Sequence, residues 1–137
     1  MIVNGAACGQ DACNAVRLSA SMAKRDEVTL RVFLMGDGVT VAMAGQKTPD
    51  GYYKLDRMLS VVPRHGGQVG CCGTRMDARD ITEAMITEGC QAVHDRRAHR
   101  WTLAATTSTA NYRRRASGQR PSALAGFAPL PPILIRS

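Results

Sequence analysis

The sequence predicts an α/β fold built on a parallel sheet. Three observations carry this reading. Apolar strand-like runs alternate with segments of helical spacing, the order that parallel βαβ units produce. The run "VTLRVFLM", Val28 to Met35, is β-branched and mostly apolar, as in a strand covered on both faces. Short glycine-containing loops follow the strand-like runs, in "NGAACGQ", "GDG" and "CCGT".

The elements follow in order. "MIV" reads as the end of a short buried strand. Ala12, Ala15, Val16, Ala20 and Ala23 recur at helical spacing, so Asp11 to Lys24 is predicted as an amphipathic helix with Asp11 as its cap. After the Val28 to Met35 strand, "VTVAMAGQ" reads as a short helix and "KTPDG" as a turn. Tyr52, Leu55, Met58, Leu59 and Val62 fit one helical face, stopped by Pro63 and "HGG". "QVGCC" is the next strand. "DITEAMITEG" is predicted as a helix, capped by Asp80 or Thr82 and stopped by Gly89. In parallel sheets the ligand crevice lies outside the carboxyl ends of the strands. The loops Asn4 to Gln10, Gly36 to Gly38 and Cys72 to Asp77 are therefore expected to share one rim.

The chain has 137 residues, enough for one domain with a real core. Only 4% of residues are aromatic against 45% hydrophobic, so that core must be aliphatic and methionine-rich. No apolar run reaches the ~20 residues of a membrane span. The N-terminus lacks the basic-then-apolar pattern of a signal peptide. A cytoplasmic protein with reduced thiols is expected. The net charge of +7 is unevenly placed. From Met1 to Cys90 ten basic residues balance ten acidic ones; from Gln91 to Ser137 eight arginines face one acid, Asp95.

The chemistry-bearing candidates are the cysteines. Side chains alternate along a strand, so Cys71 and Cys72 must point to opposite faces. Cys71 is expected to enter the core, and Cys72 to be the exposed rim thiol, because Gly73 follows and lets the backbone turn sharply. A helix starting just beyond favours the thiolate, and Arg75 adds a cation that Asp77 partly offsets. Gly73, Thr74 and Arg75 are thus supporting candidates. A thiolate is a nucleophile and can carry sulfur as a persulfide. Buried cysteine is equally often a small hydrophobe, so position alone leaves Cys72 open between the two. Cys13 and Cys90 read as structural, and Cys8, in the first loop, as a candidate second rim thiol. The spacing excludes the usual zinc patterns: no C-x2-C occurs, and His94 and His99 are five apart. No metal is expected. No GxGxxG follows the first strand, no Walker A lysine pattern exists, and "GDG" alone reads as a turn. Nucleic-acid binding through "YRRRASGQR" is the weakest reading, since charge runs are usually only solvated.

Four phrases together resemble the DsrE/DsrF-like family of sulfur-relay proteins: "NAVRLSASMAKRD", "VTLRVFLMGDGV", "AGQKTPDGYYKLDRML" and "CGTRMDARDITEAMITEG". The resemblance spans residues 1 to about 89 and reaches weakly to 105. It implies a three-layer α/β/α fold with a parallel sheet of about five strands, and assembly as homotrimers or homohexamers. It also implies a persulfide on a cysteine at the strand end matched by Cys72. A sulfur carrier of this kind requires no organic cofactor and is expected to have a partner protein that donates or accepts sulfur; with no long apolar run, no membrane partner is expected. Arg75 stands where close relatives often have a second cysteine, and Asp80 where they have glycine. The alternative is a non-catalytic oligomeric or ligand-binding module of the same fold.

Residues 1–105 are read as one domain, and 106–137 as an Arg/Pro-rich tail, largely disordered. The arginine-only basicity after Gly89 motivates the hypothesis that the reading frame slips there, leaving the last strand lost or replaced. An uninterrupted gene frame shared by close relatives would contradict it.

Overall fold

The computed structural model describes residues 1–7, 9–49 and 52–111. A five-stranded parallel sheet has the order β4-β3-β2-β1-β5: β1 is Ile2–Val3, β2 Arg31–Leu34, β3 Gln68–Cys72, β4 Cys90–Val93 and β5 Ala110–Asn111. The α-helices are α1 (Gln10–Ala23), α2 (Leu55–Leu59), α3 (Val61–Arg64), α4 (Gly73–Asp77) and α5 (Asp95–Leu103).

The strand order explains the layering. From β1 to β4 the chain steps always in one direction, and right-handed crossovers then lie on one face of the sheet. The connection from β4 to β5 runs back across the whole sheet and so carries α5 on the opposite face. The expected three-layer α/β/α arrangement is found, with α5 alone among the described helices on its side.

Register assigns the two faces. Val32 pairs with Val69, Leu34 with Cys71 and Cys71 with Ala92, so these side chains share the thicker face. Val32, Leu34, Val69 and Cys71 are fully buried there, together with Val3, Val16, Leu59 and Val62. Each such aliphatic side chain contributes about 1.5–3 kcal/mol by leaving water. The one polar side chain that α1 buries, Ser19, donates to the Ala15 carbonyl at 2.8 Å and so carries no unsatisfied group.

Several elements differ from the sequence reading. Helix α1 starts one residue early, with Gly9 as N-cap; the Gly9 carbonyl accepts from Cys13 N–H, which leaves Asp11 inside the first turn. The strand predicted over Val28 to Met35 is regular only over Arg31–Leu34. "GDG" does not merely end it but opens a 3-10 helix, Gly36–Ala42. The helix predicted from Tyr52 breaks at Ser60 into α2 and α3, because Pro63 has no N–H to offer the Leu59 carbonyl. Pro63 therefore lies inside α3, not after it. Tyr52 is 73% exposed and does not belong to the buried face.

The predicted helix over residues 80–89 does not form. Asp80 has φ +54, a left-handed conformation incompatible with continuing a helix. Thr82 caps only a single 3-10 turn, Glu83–Met85. Beyond it the backbone pairs across to residues 42–44: Thr87 N–H donates to Ala42 O at 2.7 Å and Ala44 N–H to Met85 O at 2.9 Å. Two elements went unread, β4 and α5, and two residues of the predicted tail, Ala110–Asn111, form an edge strand on β1. The rest of that tail, 112–137, lies outside the described residues. Among the described residues no helix is long and apolar enough to cross a membrane.

Candidate functional site

The three segments predicted as rim loops do converge, although Cys72 to Asp77 is not a loop but the N-cap and body of α4. Gly36 has φ +57, and a Cβ there would stand 2.0 Å from Asn4 Oδ1; a Cβ on Gly38 would stand 2.3 Å from the Val3 carbonyl. Only glycine permits this approach of the second loop onto the end of β1. "GDG" is therefore more than the ordinary turn that its length suggested. The first loop is tied to the same place by Ala7 N–H donating to Thr40 Oγ1 at 3.1 Å. The third segment joins through Arg79, just beyond α4, which pairs with Asp37 and donates to the Arg75 carbonyl at 3.1 Å.

Cys72 is the last residue of β3, an interior strand flanked by β2 and β4. It is also the N-cap of α4, so the strand passes into a helical turn with no loop between. The N–H groups of that first turn have no acceptor within the helix and point toward the strand end. Gly73 is buried, while Thr74 and Arg75 are exposed on α4.

The alternation predicted for the cysteine pair holds, but the exposure does not. Cys71 faces the main core at 0% exposure. Cys72 shares the other face with Gly70, on the α5 side. A Cβ on Gly70 would lie 2.7 Å from Val93 Cγ2 and 2.9 Å from the Trp101 ring, so glycine lets α5 press against the sheet. Cys72 is only 7% exposed, not the open thiol expected. Its place in an interior strand, with α4 turning directly over the strand end, accounts for this.

Burial separates the other thiols by chemistry. Desolvation, with smaller contributions from Cys90 and Cys72, pushes the Cys71 thiol up to about 12. Burial pushes Cys90 up to about 11. Both stay protonated at neutral pH and act as small apolar groups. Cys13, on α1, is half-buried and packed against the core. Cys8 lies outside the described residues.

Two rim residues were missed by the sequence reading. His94 follows β4, and its ring lies over Gly73: Nδ1 and Cε1 are each 3.5 Å from where a Cβ of residue 73 would be. The register Cys72 to Val93 brings it there, and with β4 unread no sequence signal pointed to it. Asp56 is the second. It is buried, and its carboxylate accepts from Gly45 N–H (3.1 Å), Gln46 N–H (3.3 Å) and Arg57 N–H (2.8 Å), anchoring the loop after the 3-10 helix. Among the described residues no group of three or more His, Cys, Asp or Glu side chains is arranged to hold a metal ion.

Comparison with known proteins gives a consistent answer. The family model described as the DsrE/DsrF-like family matches residues 1–105. Protein YchN of Escherichia coli (strain K12) is 31% identical over 107 residues, covering 77% of this chain and 91% of its own. The YchN protein of Shigella flexneri matches with the same identity and coverage. The crystal structure of the ychN protein from E. coli superposes with a TM-score of 0.70 at 32% identity, covering 77% of this chain and 92% of the other.

Proposed function

Because the chain belongs to the DsrE/DsrF-like family, we propose that it is a sulfur carrier or sulfurtransferase in which Cys72 holds a persulfide. The observation that carries this reading is the position of Cys72. It ends an interior strand at the rim where three loops meet, with a helical turn starting on the next residue, while Cys71 and Cys90 are held as neutral thiols.

The step is a sulfur transfer without net redox change. The Cys72 thiolate attacks the terminal sulfur of a donor's persulfide. A new S–S bond forms to Cys72, the donor's S–S bond breaks, and the donor leaves as a thiolate that takes up the proton Cys72 gave. The N–H groups of Gly73 and Thr74 stabilise the anion on either side of the step, and Arg75 lies on the same turn. The chemistry calls for no organic cofactor. Since Cys72 is 7% exposed, a donor reaches it through a local opening at the strand end. The donor or acceptor is a partner protein, and the family resemblance favours a homo-oligomer.

A second reading is a ligand-binding module that keeps the fold without the transfer. Arg75, in place of a second motif cysteine, and the burial of Cys72 favour it. Incubation with a low-molecular-weight persulfide followed by intact-mass measurement tests the choice. The first reading expects a gain of one sulfur that a thiol reductant removes. Absence of that gain under native conditions leaves the second.

A further inference from the structure

A cavity of about 620 Å3 opens at the amino end of the sheet, between the start of β2, α5 and the segment 104–109. It is separate from the Cys72 rim. Arg31 pairs with Gln68 at the first position of β3, and Cys72 lies four residues further on, about 13 Å away at ~3.3 Å per residue.

The register builds its floor. Phe33 pairs with Gly70 and with Ile2, on the face that α5 covers. Phe33 and Trp101 are half-buried at the cavity, on the face where α5 is the one helix among the described residues. Arg31 lies on the same face. Its Nε is buried without a hydrogen-bond partner, and its guanidinium makes no ion pair or hydrogen bond with any described residue. An unpaired buried donor of a charged group is costly, and native structures rarely leave one. The wall at 106–109 reads "TTST", four consecutive hydroxyl side chains. Glu27 is the one carboxylate among the described lining residues.

We propose that this cavity binds an organic monocarboxylic acid with a flat apolar body. The Arg31 guanidinium matches a carboxylate in shape and charge. The hydroxyls of 106–109 supply further hydrogen bonds. Phe33 and Trp101 take the apolar body, and Glu27 disfavours a second negative charge. The volume falls within the ~300–1,000 Å3 of small-molecule pockets.

Trp101 is the chain's single tryptophan and lines this cavity, so its fluorescence serves as the readout. The experiment titrates the full chain with phenylacetate and, separately, with the neutral phenylacetamide. The expected result is a saturable fluorescence change with the acid and an affinity about tenfold or more lower for the amide. Equal affinity for the two, or no saturable response to the acid, overturns the proposal. This comparison uses the unaltered protein, so it stands even if a variant fails to fold. Arg31→Met, checked by circular dichroism, should bind the acid no better than the amide; parent-like affinity in the folded variant also overturns it.

Discussion

The imidazole of His94 covers Gly73, with Nδ1 and Cε1 each 3.5 Å from where a Cβ of residue 73 would stand. That is ordinary contact. Three residues earlier, a Cβ on Gly70 would meet Val93 at 2.7 Å and Trp101 at 2.9 Å, which no relaxed structure allows. Two glycines in one strand-to-helix junction thus have opposite tolerances. Gly73→Ala should leave stability unchanged or raise it by up to ~1 kcal/mol, since alanine is the better helix residue. Gly70→Ala should cost about 1–3 kcal/mol as α5 is pushed outward. Chemical denaturation of both variants checks the pair, and equal losses would show the α5 contact to be misplaced.

Asp56→Ala should destabilise by about 1–3 kcal/mol. Gly45, Gln46 and Arg57 N–H groups donate to this buried carboxylate, and the substitution leaves them without it. Urea unfolding measures the loss. The exposed Asp37–Arg79 pair makes the contrasting case: Asp37→Ala should cost no more than about 1 kcal/mol.

Asp80→Gly should stabilise by about 1 kcal/mol. Asp80 is the one non-glycine residue with positive φ among the described residues, and glycine takes that conformation freely. A rise in melting temperature is the readout.

Stability should fall as pH rises above 9. Cys71 is raised from 9.0 to about 12 and Cys90 from 9.0 to about 11, so the folded state holds these protons after the unfolded state has lost them. The unfolded state then binds fewer protons, and the slope of stability with pH is negative from 9 until each folded value is passed. The contribution is fully present below pH 9. Cys71→Ala should flatten part of that decline, as followed by denaturation at stepped alkaline pH.

What was legible follows from where local and tertiary forces agree. Strand β3 was read to the residue, because "QVGCC" is apolar, β-branched at its start and bounded by glycines. Cys71 was assigned to the core by strand alternation together with the glycine that follows Cys72. The failures lie where tertiary contacts override local pattern. "ITEAMITEG" has helical spacing, but Asp80 turns left-handed and the backbone of residues 85–87 pairs with residues 42–44. Strand β4 is four residues long with no marked alternation, and α5 is arginine-rich, with Trp101 packed against Gly70 of the sheet. Missing β4 concealed His94, and the burial of Cys72 depends on how α4 folds over the strand, which no sequence period encodes.

The central claim is that Cys72 carries the sulfur. The most direct test loads the chain with a persulfide donor and locates the added sulfur by peptide mass mapping, for the parent, Cys72→Ser and Cys71→Ser. The account predicts one added sulfur on the peptide holding Cys72, retained in Cys71→Ser and absent in Cys72→Ser. Equal loading of Cys72→Ser and the parent would contradict it.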